Sequence, residues 1–230
     1  MTTLYPDVRS VDASAGVYAP QHDSHLLIEA LQDAGGVAGR SVADICTGSG
    51  VVAIAAAQLG ARQVTAFDIS GQAVECARRN SAAAGVRVDV RRGTCSDAAR
   101  LGPYDVVLSN PPYVPANPRA GRHGVAADVG PSRAWDAGPD GRLVLDPLCE
   151  AAPAMLRGGA TLLIVQSEFA DPRRTVHSLR RGGLDAHVFL SRVIPFGPVL
   201  TARAAWMERT GLLEPGRREE EIVVVRAEKR

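Results

Sequence analysis

Apolar residues recur along the chain in two alternating rhythms. Residues 41–45, 63–67, 104–108 and 160–166 are short, predominantly apolar runs and predict strands buried on both faces of a parallel sheet. The stretches between them carry helical spacing. Leu26, Leu27, Ala30 and Leu31 share one helical face, with Asp23 or Ser24 as N-cap. Residues 51–59 are nearly all apolar and predict a buried helix; Ser70 caps a further helix that stops at Gly85. Helices are also predicted over 140–157, between Asp140 as cap and Gly158–Gly159 as stop, over 171–181, and as a short piece over 201–212. Residues 86–91 instead alternate Val86, Val88 and Val90 with Arg87, Asp89 and Arg91, the pattern of an edge strand. The last two strands, 184–194 and 221–226, lack a full-length crossover helix between them and predict antiparallel pairing.

This alternation fits one α/β domain over residues 1–230. A hydrophobic fraction of 46% suffices for a core, but aromatics are only 4%, so Ala, Val and Leu must fill it. The formal net charge of +1 gives no electrostatic case for a nucleic-acid or membrane partner. Cys46, Cys76, Cys95 and Cys149 form no C-x-x-C pair, which argues against a zinc site and predicts reduced thiols in a cytoplasmic protein. No run approaches a membrane span, and residues 1–10 lack the basic and apolar regions of a signal peptide.

Candidate chemistry gathers where strands are expected to end, the side on which open α/β sheets bind ligands. Asn110-Pro111-Pro112-Tyr113 follows the strand 104–108 and Ser109. The two prolines fix their φ angles and make a stiff turn that presents one amide, exposed carbonyls and an aromatic ring. Such a turn can accept two hydrogen bonds from a planar NH2 group while the ring stacks on its face. The run Asp44-Ile45-Cys46-Thr47-Gly48-Ser49-Gly50 joins the first strand to its helix, where Gly48 and Gly50 let backbone amides approach a ligand. The next strand ends in Asp68-Ile69, about twenty residues on, at the spacing of a ribose-binding carboxylate. Gly93-Thr94-Cys95-Ser96-Asp97 is expected as a loop bordering a bound base, although turn chemistry explains Ser96 and Asp97 equally well. Residues 114–139 form a long proline- and glycine-rich loop with Arg119, Arg122, His123 and Arg133 near the expected mouth and Trp135 to pack it down. His22 and His25 read as surface residues rather than ligands or bases.

In this order, the glycine turn, the acidic strand end and Asn-Pro-Pro-Tyr resemble the class I S-adenosylmethionine-dependent methyltransferases. Within them the chain resembles the HemK-type glutamine-N5 methyltransferases. Tyr18-x-Pro20-x-x-Asp23-Ser24 and Gly138-x-x-Gly141-Arg142 are similar to its short branch, without the N-terminal helical domain of the bacterial enzymes. The resemblance implies a Rossmann-like, mostly parallel seven-stranded sheet with a final antiparallel strand, helices on both faces, and residues 1–40 covering the cofactor site. It implies that Asp44, Tyr18, Ser24 and the backbone from Cys46 through Thr47 and Gly48 to Gly50 hold the methionine part of S-adenosylmethionine. Asp68, with Ile69, would take the ribose, and Thr94 with Cys95, or alternatively Asp97, the adenine. Asn110 and the Pro111 carbonyl would orient the acceptor nitrogen, with Pro112 in the turn and Tyr113 stacked on the acceptor plane. Two positions depart from the family: Cys46 replaces a glycine, and Thr94 stands where an acidic residue is common. The implied acceptor is a protein glutamine, such as that of a peptide chain release factor; the alternative is an adenine amine of RNA or DNA. No metal is implied, and the charged edge strand leads us to expect no obligatory activating subunit.

Overall fold

The computed structural model describes residues 11, 13, 16–116 and 131–230. Residues 1–10 and the expected mouth cations Arg119, Arg122 and His123 lie outside the described residues, as does the side chain of Arg133. The elements, in chain order, are α1 (His22–Asp33), β1 (Ser41–Ile45), α2 (Val51–Gln58), β2 (Gln63–Asp68), α3 (Gly71–Ala83), β3 (Asp89–Arg92), α4 (Cys95–Leu101), β4 (Tyr104–Ser109), α5 (Leu145–Met155), β5 (Leu156–Ser167), α6 (Pro172–Arg181), β6 (Asp185–Pro195), α7 (Pro198–Arg209) and β7 (Glu219–Glu228). The strands form one seven-stranded sheet in the order β3-β2-β1-β4-β5-β7-β6. Pairing is parallel from β3 through to β5, whereas β7 runs antiparallel to both β5 and β6.

Successive side chains of the central strands serve opposite faces. Val42, Val106, Leu108, Leu163, Val165, Ile222 and Val224 pack with α1, α2 and α3. Their sequence neighbours Ala43, Val107, Leu162, Ile164, Val223 and Val225 pack with α4, α5 and α6. That two-sided burial is why these strands read as continuous apolar runs. Strand β3 lies at the sheet edge, with Asp89, Arg91 and Arg92 exposed and Val90 buried. A third cluster, of Val114, Trp135 and residues of α7 with Leu213, closes the C-terminal end of the sheet beside β4.

The expected edge strand 86–91 is shorter, Asp89–Arg92, so Val86 and Val88 precede it, and the expected short piece 201–212 is the 12-residue helix α7. Four further boundaries differ, each for a local reason. Helix α1 starts at His22 with Gln21 as N-cap, so Asp23 and Ser24 sit buried inside its first turn, where tertiary partners occupy them. The expected loop 93–97 is the start of helix α4, because Thr94 and Asp97 form a capping box. The Asp97 carboxylate accepts from the Thr94 amide at 2.8 Å and its hydroxyl at 2.9 Å. Helix α5 begins at Leu145 rather than Asp140, whose carboxylate instead accepts from the Arg142 amide and pairs with Arg174. Gly158 and Gly159 do not end that helix but lie inside β5, where Gly159, at φ +77°, donates to the Lys229 carbonyl at 2.7 Å. A glycine of that geometry lets a strand bulge without losing its pairing.

Candidate active site

Strand β1 pairs with β2 on one side and β4 on the other, so their C-terminal ends open onto one crevice. A cavity of about 310 Å³ occupies it. Asp44, Cys46, Thr47, Gly48, Asp68, Ile69, Thr94 and Cys95 are on its wall, as are Tyr18, Ser24, Asn110, Pro111, Pro112 and Tyr113. Of the expected site residues only Gly50 and Asp97 lie off the wall. Gly50 has a different role: at φ +86°, an added Cβ would stand 3.0 Å from that of Ala77, so it lets α2 and α3 meet. At Gly48 a Cβ would meet nothing within 4 Å, and the requirement there is its φ of +56°. Cys46 adopts φ +62° as well, a left-handed conformation that costs a side-chain-bearing residue roughly 1–2 kcal/mol. A glycine would hold it without that strain.

The turn is fixed by its own hydrogen bonds. Thr47 donates its amide to the Phe67 carbonyl at 3.0 Å, and Asn80 donates its side-chain amide to the Ser49 carbonyl at 2.8 Å. The Asp68 carboxylate accepts from the Gly48 amide at 3.0 Å and the Ser70 amide at 2.9 Å, which binds the end of β2 to the glycine turn. Asp44 is 1% exposed and receives the Thr47 hydroxyl at 2.6 Å. Burial nonetheless pushes its carboxyl up to about 7, the hydrogen bonds offsetting only part of the desolvation. Burial likewise pushes the Cys46 thiol up, with Asp68 and Asp44 adding to it.

The Asn110 turn is held from two sides. Asn110 donates Nδ2 to the Ser24 hydroxyl at 3.2 Å, and Tyr113 donates its hydroxyl to Asp23 at 2.8 Å. Two consecutive residues of α1 thus secure both ends of the turn. With Nδ2 committed to Ser24, Oδ1 is the atom Asn110 has left to accept a hydrogen bond. On the other side Arg203 of α7, 9% exposed, donates to the carbonyls of Val114 and Pro115 and covers the Trp135 ring at 4.7 Å. Gly141 lies against the turn so closely that a Cβ there would stand 2.5 Å from the Tyr113 carbonyl oxygen.

Sequence reasoning missed Asp23 as a partner of Tyr113, and it missed Leu143, Val144, Pro147 and Leu148 as cavity wall. The glycine pair just before Arg142, Gly138 and Gly141, was the available signal for the latter. His22 and His25 are exposed, as expected. Among the described residues no group of His, Cys, Asp or Glu is placed to hold a metal, and no helix is long and apolar enough to cross a membrane.

Residues 10–123 match the family described as the methyltransferase small domain. A putative protein N5-glutamine methyltransferase of Methanocaldococcus jannaschii is 30% identical over 188 residues, which cover 82% of this chain and 91% of the relative. A release factor glutamine methyltransferase of Deinococcus radiodurans is 37% identical over 77% of this chain, but the match spans only 63% of the bacterial protein. Among solved structures, the Mtq2–Trm112 complex of E. cuniculi, described as methylating the termination factor eRF1, aligns over 94% of this chain and 99% of its own with a TM-score of 0.62; at 22% identity it speaks for the fold. On the identity and coverage of the archaeal relative, this chain belongs to the HemK-type protein-glutamine N5-methyltransferase family, within the class I methyltransferases.

Proposed function

We propose that this protein transfers a methyl group from S-adenosylmethionine to the side-chain amide nitrogen of a protein glutamine, with the Gly-Gly-Gln loop of a release factor as acceptor. The observation that carries the reading is the Asn110 turn, held through Ser24 and Asp23 so that an amide oxygen, fixed carbonyls and an aromatic ring share one cavity with the glycine turn.

The cavity residues fit the cofactor by their chemistry. Asp44, ionised, would pair with an ammonium group, and Asp68 keeps lone pairs for a ribose diol beside the two amides it already accepts. The apolar side chains of Val51, Val52, Ile69 and Leu148 suit an adenosyl group. When bound, the cofactor supplies an electrophilic methyl on a sulfonium centre. Asn110 Oδ1 and the Pro111 carbonyl would accept the two N–H groups of the acceptor amide, build negative charge on its nitrogen and aim it; Tyr113 would stack on its plane. Catalysis is then positioning and electrostatics.

The test is transfer of labelled methyl to a release factor, to its Gln→Glu variant, and to RNA and DNA. Label on the Gln protein alone supports the reading, and label confined to an adenine replaces it. Asn110→Ala should lower kcat about 10²–10³-fold with cofactor affinity little changed, since its contacts strengthen toward the transition state. We also infer folding without a covering subunit, which the charged, exposed residues of β3 support.

A further inference from the structure

Leu143 is the most exposed large apolar side chain among the described residues, at 68%, yet it lies on the cavity wall. Its backbone is held on several sides. The Leu143 amide donates to the Ala137 carbonyl at 3.0 Å, the Ala137 amide to the Val114 carbonyl at 3.2 Å, and the Ala116 amide to the Gly138 carbonyl at 2.8 Å. Val114 directly follows Tyr113, so the segment carrying Leu143 is bonded to the continuation of the Asn110 turn. The two residues before it are pinned as well. Gly141 presses on the Tyr113 carbonyl. Arg142, 2% exposed, donates to the Asp146 carboxylate, the Ala170 and Asp171 carbonyls and the Thr175 hydroxyl. An exposed leucine by itself means little. Here a close-packed glycine and a buried arginine fix one that the core does not require, on the wall of the site, where an apolar side chain serves a ligand.

The other exposed large apolar residue of the wall, Ile69, follows β2 on the side assigned to the cofactor. Strand β1 separates β2 from β4, and Leu143 hangs from the chain that continues β4. Leu143 is therefore on the acceptor's side of the mouth. Four bonds separate the Cα of a glutamine from its amide nitrogen, about 5 Å. An acceptor whose nitrogen reaches Asn110 must bring its backbone down to that mouth, and the residue before the glutamine then meets the rim. We propose that Leu143 is a specificity-determining residue: it packs against the residue preceding the acceptor glutamine, and its fixed bulk admits glycine there and excludes a side chain. This rests on the reading of the Asn110 turn as the acceptor site.

Methyl transfer at saturating cofactor is measured for wild type, Leu143→Ala and Leu143→Phe. The acceptors are a Gly-Gly-Gln release factor and its variant with alanine in place of the glycine before the glutamine. Wild type should favour glycine about 10- to 100-fold in kcat/KM, the scale on which a fixed pocket discriminates one carbon. Leu143→Ala should cut that preference to about threefold or less, by a gain on the alanine acceptor. It should also raise KM for the glycine acceptor about 3–10-fold with kcat unchanged, because the lost apolar contact holds ground state and transition state alike. Leu143→Phe should sharpen the preference. Cofactor affinity by titration calorimetry and melting temperature should match wild type in both variants, since the side chain is exposed and stands away from Ile69; a merely structural role would move the melting temperature and leave the preference alone. A preference unmoved by Leu143→Ala, or a loss of cofactor affinity as large as the rise in KM, overturns the proposal and leaves the reading of the turn in place. A wild type that methylates no Gly-Gly-Gln protein overturns that reading, and the proposal with it.

Discussion

Replacing Gly141 with alanine tests how tightly the segment before α5 is pressed onto the Asn110 turn. Two costs arise. At φ +73° an alanine adopts a left-handed backbone, worth roughly 1–2 kcal/mol. Its Cβ would also stand 2.5 Å from the Tyr113 carbonyl oxygen and 3.2 Å from the Ala170 Cβ. To restore ordinary contact that oxygen must move by about 0.9 Å, and overpacking of this kind costs roughly 1–3 kcal/mol. Together the two amount to roughly 2–5 kcal/mol, at about 2–4 °C of melting temperature per kcal/mol for a domain of this size. Gly183→Ala is the control, since Gly183 has φ +84° but nothing within 4 Å of an added Cβ, and it should show the backbone cost alone. The displaced carbonyl belongs to the turn that would aim the acceptor, and a shift near 1 Å can cost about 10²-fold in rate. Melting curves and methyl-transfer kinetics on both variants decide the matter. If Gly141→Ala melts with Gly183→Ala and retains its kcat, the close packing of this segment on the turn is refuted.

Two predictions concern the cofactor. Asp68→Ala should lose roughly 2–4 kcal/mol of S-adenosylmethionine affinity, for two charge-assisted hydrogen bonds to the ribose, and equal affinities in titration calorimetry would dismiss the assignment. Asp44 holds its proton up to about 7 in the folded protein against an ordinary 3.8, so its contribution to stability is present below about 4 and is lost as pH rises to 7. Pairing with an ammonium needs the ionised form, so cofactor affinity should fall up to about tenfold per unit below pH 7, and Asp44→Asn should flatten that dependence. A pH-independent wild-type affinity between 5.5 and 8 would refute it.

Much of the fold was legible because burial on both faces writes itself into strands as unbroken apolar runs, as in Val106–Val107–Leu108, whose neighbours reach opposite cores. The antiparallel pairing of β6 and β7 is as expected, but the reason for expecting it fails, since the connection between them holds the 12-residue helix α7. The cavity residues were legible at strand ends, where Asp44, Asp68 and Asn110 interrupt apolar runs. Less legible was anything decided by partners distant in sequence. Asp23 and Ser24 have the chemistry of caps, and only the arrival of Tyr113 and Asn110, about ninety residues on, turns them inward. Glu220 sits in a run of three glutamates, and the alternation of β7 buries the middle one. Gly50 has the sequence of a ligand-binding glycine and the environment of a helix contact.

The grip on the Asn110 turn explains why segments far apart in the chain converge there. A turn with two prolines is stiff internally, but its orientation as a unit depends on what holds its ends. Ser24 and Asp23 hold Asn110 and Tyr113 from α1, while Arg203 holds the carbonyls of Val114 and Pro115 from α7. Arg203 is nearly buried, and desolvation lowers the pKa of its guanidinium against the opposing pull of Asp136. Nη1 donating to two carbonyls, Nη2 paired with the Asp136 carboxylate and the guanidinium lying over a ring face make a clamp that lysine could not reproduce. Helix α7 lies in the connection between the two antiparallel strands, so the departure from parallel pairing does more than finish the sheet. It brings a buried cation across the sheet's C-terminal end, to the side of the turn that α1 does not reach.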